Sequence, residues 1–164
     1  MRVEYSTLRG CSELHGITLE NMALFREATQ LILNKPGVLA IVFFGSRVMG
    51  KNNSRSDLDV LIVVEDKIVD FSDVRLGFVR SNHVYLGTLI MTEKEFEENL
   101  TLGSVLMGVS LAYCVIFDKI KVYERILSWA ERVRKYNAIL ELPYGKFTVG
   151  RTIRKCKYSV DNIS

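Results

Sequence analysis

Two aspartates open a run of residues that is otherwise apolar. Asp57 and Asp59 lie in the segment 57–64, where all the remaining residues are hydrophobic. On a strand, residues i and i+2 point to the same face and lie about 6.6 Å apart, at about 3.3 Å per residue. Two neighbouring carboxylates repel each other unless a cation neutralises them, and oxygen-only ligation favours Mg²⁺ or Mn²⁺. The spacing therefore predicts a divalent-metal site formed by Asp57 and Asp59.

A glycine and a serine precede this pair. Gly45 and Ser46 follow the apolar segment 38–44, and a short helix-compatible stretch then ends at Gly50. Glycine at the end of a strand lets the backbone approach a ligand closely, and amides at the start of a helix attract anions. Arg47 adds a positive charge next to them. A phosphate site beside a metal site predicts a bound nucleoside triphosphate, held as its Mg²⁺ complex.

Each feature alone also has an ordinary explanation. The two aspartates fit the solvated start of a strand, and the Gly45-Ser46 pair fits a turn. Short motifs of this kind produce many false matches when they are taken singly. Their combination at this spacing favours the nucleotide site.

The flanking sequence predicts the elements that must hold the site. Helices are expected from the N-cap Thr18 to about Asn34, from the capping box at Thr92 to about Leu100, and over residues 119–136. Strands are expected at residues 38–44, 57–64, 83–91 and 113–117, with a weaker hairpin signal around 143–146. This order predicts an α/β (α+β) domain with a small mixed β-sheet flanked by helices.

At the site residues the chain resembles the minimal nucleotidyltransferase domain of the DNA-polymerase-β superfamily, of the standalone archaeal and bacterial type. The family pattern is Gly-Ser, a short helix with a second glycine, and Ser-Asp-x-Asp at the start of a hydrophobic strand. The sequence supplies these as Gly45-Ser46, Gly50 and Ser56-Asp57-Leu58-Asp59. The resemblance extends loosely as far as Asp118. We expect a nucleotidyltransferase-like domain over residues 1–137 and a basic C-terminal extension, 138–164, as a hairpin packed on the same domain.

The resemblance also implies an activity. Such an enzyme moves a nucleoside monophosphate, commonly AMP from ATP, to an acceptor hydroxyl and releases pyrophosphate. Gly45 and Ser46 would hold the β- and γ-phosphates, and Asp57 and Asp59 would ligate the catalytic Mg²⁺. The acceptor stays open among a protein side chain, as in the antitoxin-like members that pair with a toxin, a small molecule and an RNA end.

One family feature is missing from the sequence. Members usually place a third carboxylate on a neighbouring strand, where it binds metal and activates the acceptor hydroxyl, but the segment 83–91 contains no acid. His83, at the start of that segment, is a candidate substitute base. The alternative hypothesis is a catalytically inactive binding module that keeps the fold and acts through a protein or nucleic-acid partner.

Charge is distributed unevenly along the chain. From residue 119 onward there are 11 Lys and Arg against 4 Asp and Glu, so this part carries +7 while residues 1–118 carry −4. A basic C-terminal region of this kind can bind nucleic acid, although a solvated helix face explains it equally well.

Composition excludes several protein classes. The 164 residues, 48% of them hydrophobic, fit a single globular domain. The longest apolar runs are far shorter than the roughly 20 residues of a membrane helix, and residues 1–5 do not begin a signal peptide, so a cytoplasmic protein is expected. The 3 cysteines are widely spaced, which predicts free thiols rather than a disulfide or a zinc site.

Overall fold

The computed structural model describes residues 17–65, 69–143 and 145–157. The helices are α1 (Leu19–Leu33), α2 (Ser46–Met49), α3 (Ser72–Asn82), α4 (Glu93–Glu98), α5 (Met107–Leu111) and α6 (Val122–Arg134). The strands are β1 (Val38–Phe44), β2 (Leu58–Val64), β3 (Leu86–Thr92), β4 (Ala112–Asp118), β5 (Ile139–Leu142), β6 (Gly145–Thr148) and β7 (Arg154–Lys157).

Five strands form the main sheet, in the order β3-β2-β1-β4-β7. β1 is antiparallel to β2 and to β4, whereas β2 pairs with β3, and β4 with β7, in parallel. Consequently β1 ends at the same edge of the sheet at which β2, β3, β4 and β7 begin. We call this the site edge, because Gly45 and Asp57 both lie there. The predicted mixed sheet flanked by helices is confirmed.

Helices cover both faces of the sheet. α1 and α3 pack on one face, where Phe25 stacks on Phe43 with ring centroids 4.5 Å apart. α4, α5 and α6 pack on the other face, where α6 buries Trp129 and Ile126. Asp59 and Leu61 are two apart on β2, so Asp59 points to the face on which Leu61 is buried beneath α4–α6.

Two predicted helix starts are present. The Oγ1 of Thr18 accepts the amide of Asn21 at 3.1 Å and caps α1. At α4 the capping box is complete, because Thr92 and Glu95 each accept the other's backbone amide. Removing such a cap costs about 1 kcal/mol.

Other boundaries differ from the predictions. α3 was not predicted, although Val74 and Phe78 are buried at helical spacing on it. α3 ends at Asn82 and His83 caps it with φ 54°, so the strand expected from residue 83 begins at Leu86 instead. Positive φ at a non-glycine residue ends helices because it turns the chain away from the helix axis.

The C-terminal part of the described chain forms a hairpin and a further strand. β5 and β6 pair antiparallel as a separate two-stranded sheet, while β7 joins the main sheet beside β4. The Tyr144 position and residues 158–164 lie outside the described residues, as do residues 1–16 with Cys11.

Cys114 and Cys156 form a disulfide between β4 and β7, 42 residues apart in sequence. They occupy the same register position of the two parallel strands. The prediction of free thiols is therefore wrong for these two cysteines, because register, which spacing in the sequence does not show, brings them together.

None of the six helices in the described ranges has the length and continuous apolar surface that spanning a bilayer requires.

Candidate functional site

The two aspartates lie at the site edge. Asp57 is exposed immediately before β2, and Asp59 is partly buried one residue inside the strand. Asp59 pairs with Phe44 of β1 on one side and with Gly87 of β3 on the other. The two carboxylates are close enough for Asp57 to disfavour the charge of Asp59. The structure thus brings together the pair that the sequence predicts.

Two glycines enclose the carboxylate of Asp59. A Cβ on Gly45 would collide with Oδ2 of Asp59, and a Cβ on Gly87 would lie 2.8 Å from Oδ1. Any side chain at either position would have to displace the carboxylate. Gly45 and Gly87, neither of which has a side chain, therefore form a cradle that leaves room for the carboxylate of Asp59 between them.

The charge of Asp59 is unfavourable in this cradle. Burial, and secondly the negative charge of Asp57, raise the pKa of Asp59 from 3.8 to about 6. At neutral pH the carboxylate is nevertheless mostly ionised, and within the described part of the chain no hydrogen-bond donor or cation compensates its charge. A partly buried pair of this kind has the electrostatics of a cation site.

A pH-dependent stability follows for the protein without divalent ions. Because the pKa of Asp59 is higher in the folded than in the unfolded state, its contribution is fully present below about pH 4 and is lost as pH rises through about 6. Asp59→Asn should therefore melt at a higher temperature than wild type at about pH 8, because its free energy of unfolding is larger by roughly 1–2 kcal/mol after solvent screening. Near pH 4 the two melting temperatures should be the same.

Thermal unfolding of both proteins over this pH range, with EDTA present, measures the effect. Hydrogen bonds lower the pKa values of Asp70, Asp73, Glu95 and Glu124, so their contributions to stability change with pH in the opposite direction. Both proteins contain these residues, and their contributions therefore cancel in the difference between the two melting temperatures. If the melting temperatures of the two proteins differed by the same amount at every pH, the raised pKa assigned to Asp59 would be wrong.

Residues 45–50 form a tight turn, here called the glycine turn. Gly45 has φ 79° and ψ −158°, a conformation open essentially to glycine, and Gly50 closes α2 with φ 70°. The amide of Met49 donates to the Gly45 carbonyl at 3.0 Å, and that of Lys51 to the Ser46 carbonyl at 2.9 Å. The turn places Ser46, which is half-buried, at the site edge directly after Gly45, whose backbone lies beside the Asp59 carboxylate.

Arg47 points into the protein instead of toward the site opening. It is 1% exposed. Its Nε and Nη2 donate to the Ser56 carbonyl at 3.1 and 2.8 Å, and its Nη1 donates to Oδ1 of Asn21 at 2.8 Å. Asn21 in turn donates to Asn52 Oδ1 at 3.0 Å. Arg47 therefore connects α1, the glycine turn and Ser56, the residue before Asp57. These hydrogen bonds hold the glycine turn in position relative to the start of β2.

Sequence reasoning did not identify Asn21 or Gly87 as parts of the site. Asn21 lies in α1, 26 residues before Arg47, and only its complete burial marks it as unusual. Gly87 faces Asp59 on the neighbouring strand, where the family's third carboxylate was expected. Over the described ranges, no third His, Cys, Asp or Glu joins Asp57 and Asp59 as a potential metal ligand. His83 is exposed at the end of α3, outside β3.

Part of the basic C-terminal region is neutralised within the protein. Arg125 of α6 forms ion pairs with Glu93 at 2.8 Å and Glu97 at 3.7 Å, both on α4. Lys157 of β7 contacts Glu124 at 2.8 Å and Asp118 at 3.7 Å. These two cations stabilise the packing of α4 and β7 on α6, so they contribute less to an open basic surface than their number in the sequence suggests.

Comparison with known proteins finds a family model and solved structures to which parts of the chain are similar. The chain is similar to a solved toxin–antitoxin structure with AMP-PNP, at 14% identity over 73% of this chain and 87% of that chain, with a TM-score of 0.48. It is also similar to a mutant of the toxin–antitoxin MntA-HpeT, at 14% identity over 68% and 85%, with a TM-score of 0.46. No curated protein matches the sequence. The family model described as Polymerase beta, Nucleotidyltransferase matches residues 27–100, which include the glycine turn, both aspartates and Gly87.

Proposed function

We propose a specific activity, from the premise that residues 27–100 match the family model described as Polymerase beta, Nucleotidyltransferase. The protein binds a nucleoside triphosphate, ATP in the first instance, with Mg²⁺ or Mn²⁺. It transfers the nucleoside monophosphate to an acceptor hydroxyl and releases pyrophosphate.

The observation that carries this proposal is the cradled Asp59 beside Asp57. Their oxygens are hard donors, which suit Mg²⁺ and Mn²⁺ better than softer metals. Burial and the negative charge of Asp57 make the charge of Asp59 costly, so a divalent cation would relieve both penalties at once. The residues present therefore fit the metal that the family implies.

The glycine turn supplies the phosphate half of the site. Gly45 allows the backbone to come close to the phosphates, and Ser46 offers its hydroxyl and amide to the β- and γ-phosphates. Arg47 does not touch the nucleotide in this proposal, because its guanidinium is engaged with Ser56 and Asn21. Its role is to fix the distance between the phosphate half and the metal half.

The reaction is a substitution at the α-phosphorus. The acceptor oxygen forms a new bond to this phosphorus, the bond to the bridging oxygen of pyrophosphate breaks, and the acceptor proton passes to solvent or to a base. A metal held by Asp57 and Asp59 would neutralise charge on the α-phosphate. The residues of this chain contribute mainly by positioning and by charge complementarity, as is usual for phosphoryl transfer.

Gly87 favours a second candidate function. Gly87 stands beside Asp59 on the strand where the third carboxylate was expected, and no other described His, Cys, Asp or Glu joins the pair as a ligand. A general base and a ligand for a second metal would then both be missing from the chain. Under this candidate the protein binds the nucleotide and signals through a partner without transferring it.

Two further parts of the proposal concern location and partners. We place the protein in the cytoplasm, where the Cys114–Cys156 disulfide would be uncommon. The acceptor is a protein side chain, a small molecule or an RNA end. Nucleic-acid binding through the C-terminal region would depend on cations other than Arg125 and Lys157, and it should weaken steeply with salt.

The test combines binding with turnover. ATP is titrated calorimetrically into the protein with Mg²⁺, and α-labelled ATP is then incubated with representatives of each acceptor class while pyrophosphate release is followed. Metal-dependent binding with release supports transfer. Binding without release for every acceptor favours the second candidate. Absence of binding with all four nucleotides and with Mn²⁺ would overturn both.

A further inference from the structure

The C-terminal strand contacts the glycine turn. Nη1 of Arg154, the first residue of β7, donates to the carbonyl oxygen of Val48 at 2.8 Å, although the two residues are 106 positions apart in sequence. Val48 lies in α2 and is completely buried. Arg154 belongs to the part of the chain beyond the segment that matches the family model.

The glycine turn needs such support because it is short. α2 has only 4 residues, so it makes about one turn and cannot stabilise itself through its own hydrogen bonds. Carbonyls near a helix end lack partners within the helix, and a guanidinium donor makes a stronger hydrogen bond than a neutral group. Arg47 holds the turn from the side of α1, and Arg154 holds it from the side of β7.

Arg154 is itself held in place by the fold. β7 pairs in parallel with β4 in the register Ala112 to Arg154, and the amide of Ile153 donates to the Leu111 carbonyl at 2.6 Å. The Cys114–Cys156 disulfide joins the same two strands, two residues further along. The guanidinium of Arg154 is therefore attached to a backbone that is itself fixed. A residue can set the position of another element only if its own position is fixed.

A second contact links the same regions. Nζ of Lys51, the residue after the glycine turn, lies 4.9 Å from the ring centroid of Phe147 on β6. The β5–β6 hairpin and β7 thus each contact the turn or the residue after it. Both contacts come from residues 145–157, outside the matched segment.

We propose that Arg154 is a positioning residue of the nucleotide site: by its hydrogen bond to Val48 it fixes the glycine turn in the conformation that receives the phosphates. This proposal rests on the proposed function, since the ligand of the turn is taken from there. The C-terminal extension is then a functional part of the site, and affinity for the Mg²⁺ complex of the nucleotide depends on it.

The experiment compares Arg154→Met with Lys155→Met. Lys155 is the next residue of the same strand, is exposed, and offers the same loss of charge. Two quantities are measured: hydrogen exchange of the Met49, Gly50 and Lys51 amides in the nucleotide-free protein, and the dissociation constant for ATP with Mg²⁺. Arg154→Lys, which keeps one charged donor, is the conservative variant.

The expected result is a selective effect of Arg154→Met. Exchange of the turn amides should accelerate, and the dissociation constant should rise by roughly 10-fold, the scale of one lost hydrogen bond to a charged group. Lys155→Met should change neither, and Arg154→Lys should recover part of the affinity. Where turnover is measured, KM should rise while kcat at saturation stays within about 2-fold.

Two results would overturn the proposal. The first is equal exchange of the turn amides in Arg154→Met and Lys155→Met. The second is an unchanged dissociation constant in Arg154→Met when wild type binds ATP. Failure of wild type to bind any nucleotide would instead overturn the proposed function, and the exchange experiment would still decide whether Arg154 holds the turn.

Discussion

Replacing Asp59 by asparagine is expected to abolish Mg²⁺-dependent nucleotide binding, with a loss of roughly 100-fold or more in affinity. The amide keeps the shape of the side chain and fits the cradle between Gly45 and Gly87, but it carries no charge and is a poor ligand for Mg²⁺. Calorimetric titration of ATP with Mg²⁺ into both proteins measures the difference. The same variant should be more stable than wild type in EDTA at neutral pH, because the raised pKa of Asp59 marks its charge as unfavourable.

Asp73→Asn is the matched control for this variant. Asp73 undergoes the same chemical change on α3, where its side chain is 67% exposed and pairs with Lys35 at 2.8 Å. It should leave nucleotide binding unchanged and lower stability slightly, if at all. If Asp59→Asn bound the metal complex as tightly as Asp73→Asn does, the site would lie elsewhere.

Replacing Arg47 by methionine is expected to cause the largest loss of stability among the variants considered, about 3 kcal/mol or more. Methionine fills part of the space, yet it leaves the Ser56 carbonyl and Oδ1 of Asn21 without their charged donor inside the protein. Lysine should not rescue the variant fully, because one ammonium group cannot reproduce the planar fork of the guanidinium. Urea unfolding followed by circular dichroism gives the free energy of unfolding.

Arg55→Met serves as its control. Arg55 lies between α2 and β2 and is exposed, and its backbone amide donates to Oδ1 of Asn53 at 2.8 Å. Its replacement should change the free energy of unfolding by less than about 0.5 kcal/mol. Equal stabilities of the two variants would show that Arg47 is not the buried clamp described above.

The contrast between these two arginines shows where sequence reasoning ended. Arg47 and Arg55 are both cations near a predicted phosphate site, and residue type alone gives them the same role. Burial separates them, and burial depends on Asn21, which comes from a helix 26 residues earlier. A local pattern cannot contain that contact.

Local patterns did identify the aspartate pair and the strands on which it depends. β1 is a continuous apolar run and β2 is apolar apart from Asp59, and the i, i+2 spacing of Asp57 and Asp59 at the start of β2 predicts a shared direction. The capping box at Thr92 was equally local. Gly87 was different: the sequence shows that segment 83–91 lacks an acid, but only the register of β3 on β2 shows which residue stands beside Asp59.

The hydrogen bond from Arg154 to Val48 also orders events during synthesis. Its partners are separated by 106 residues, which a ribosome adds in about 5 to 20 seconds. During that interval the nascent chain already contains both aspartates and the glycine turn, yet the turn lacks its second support. A growing chain is therefore expected to reach its full affinity for nucleotide only after β7 has emerged and paired with β4.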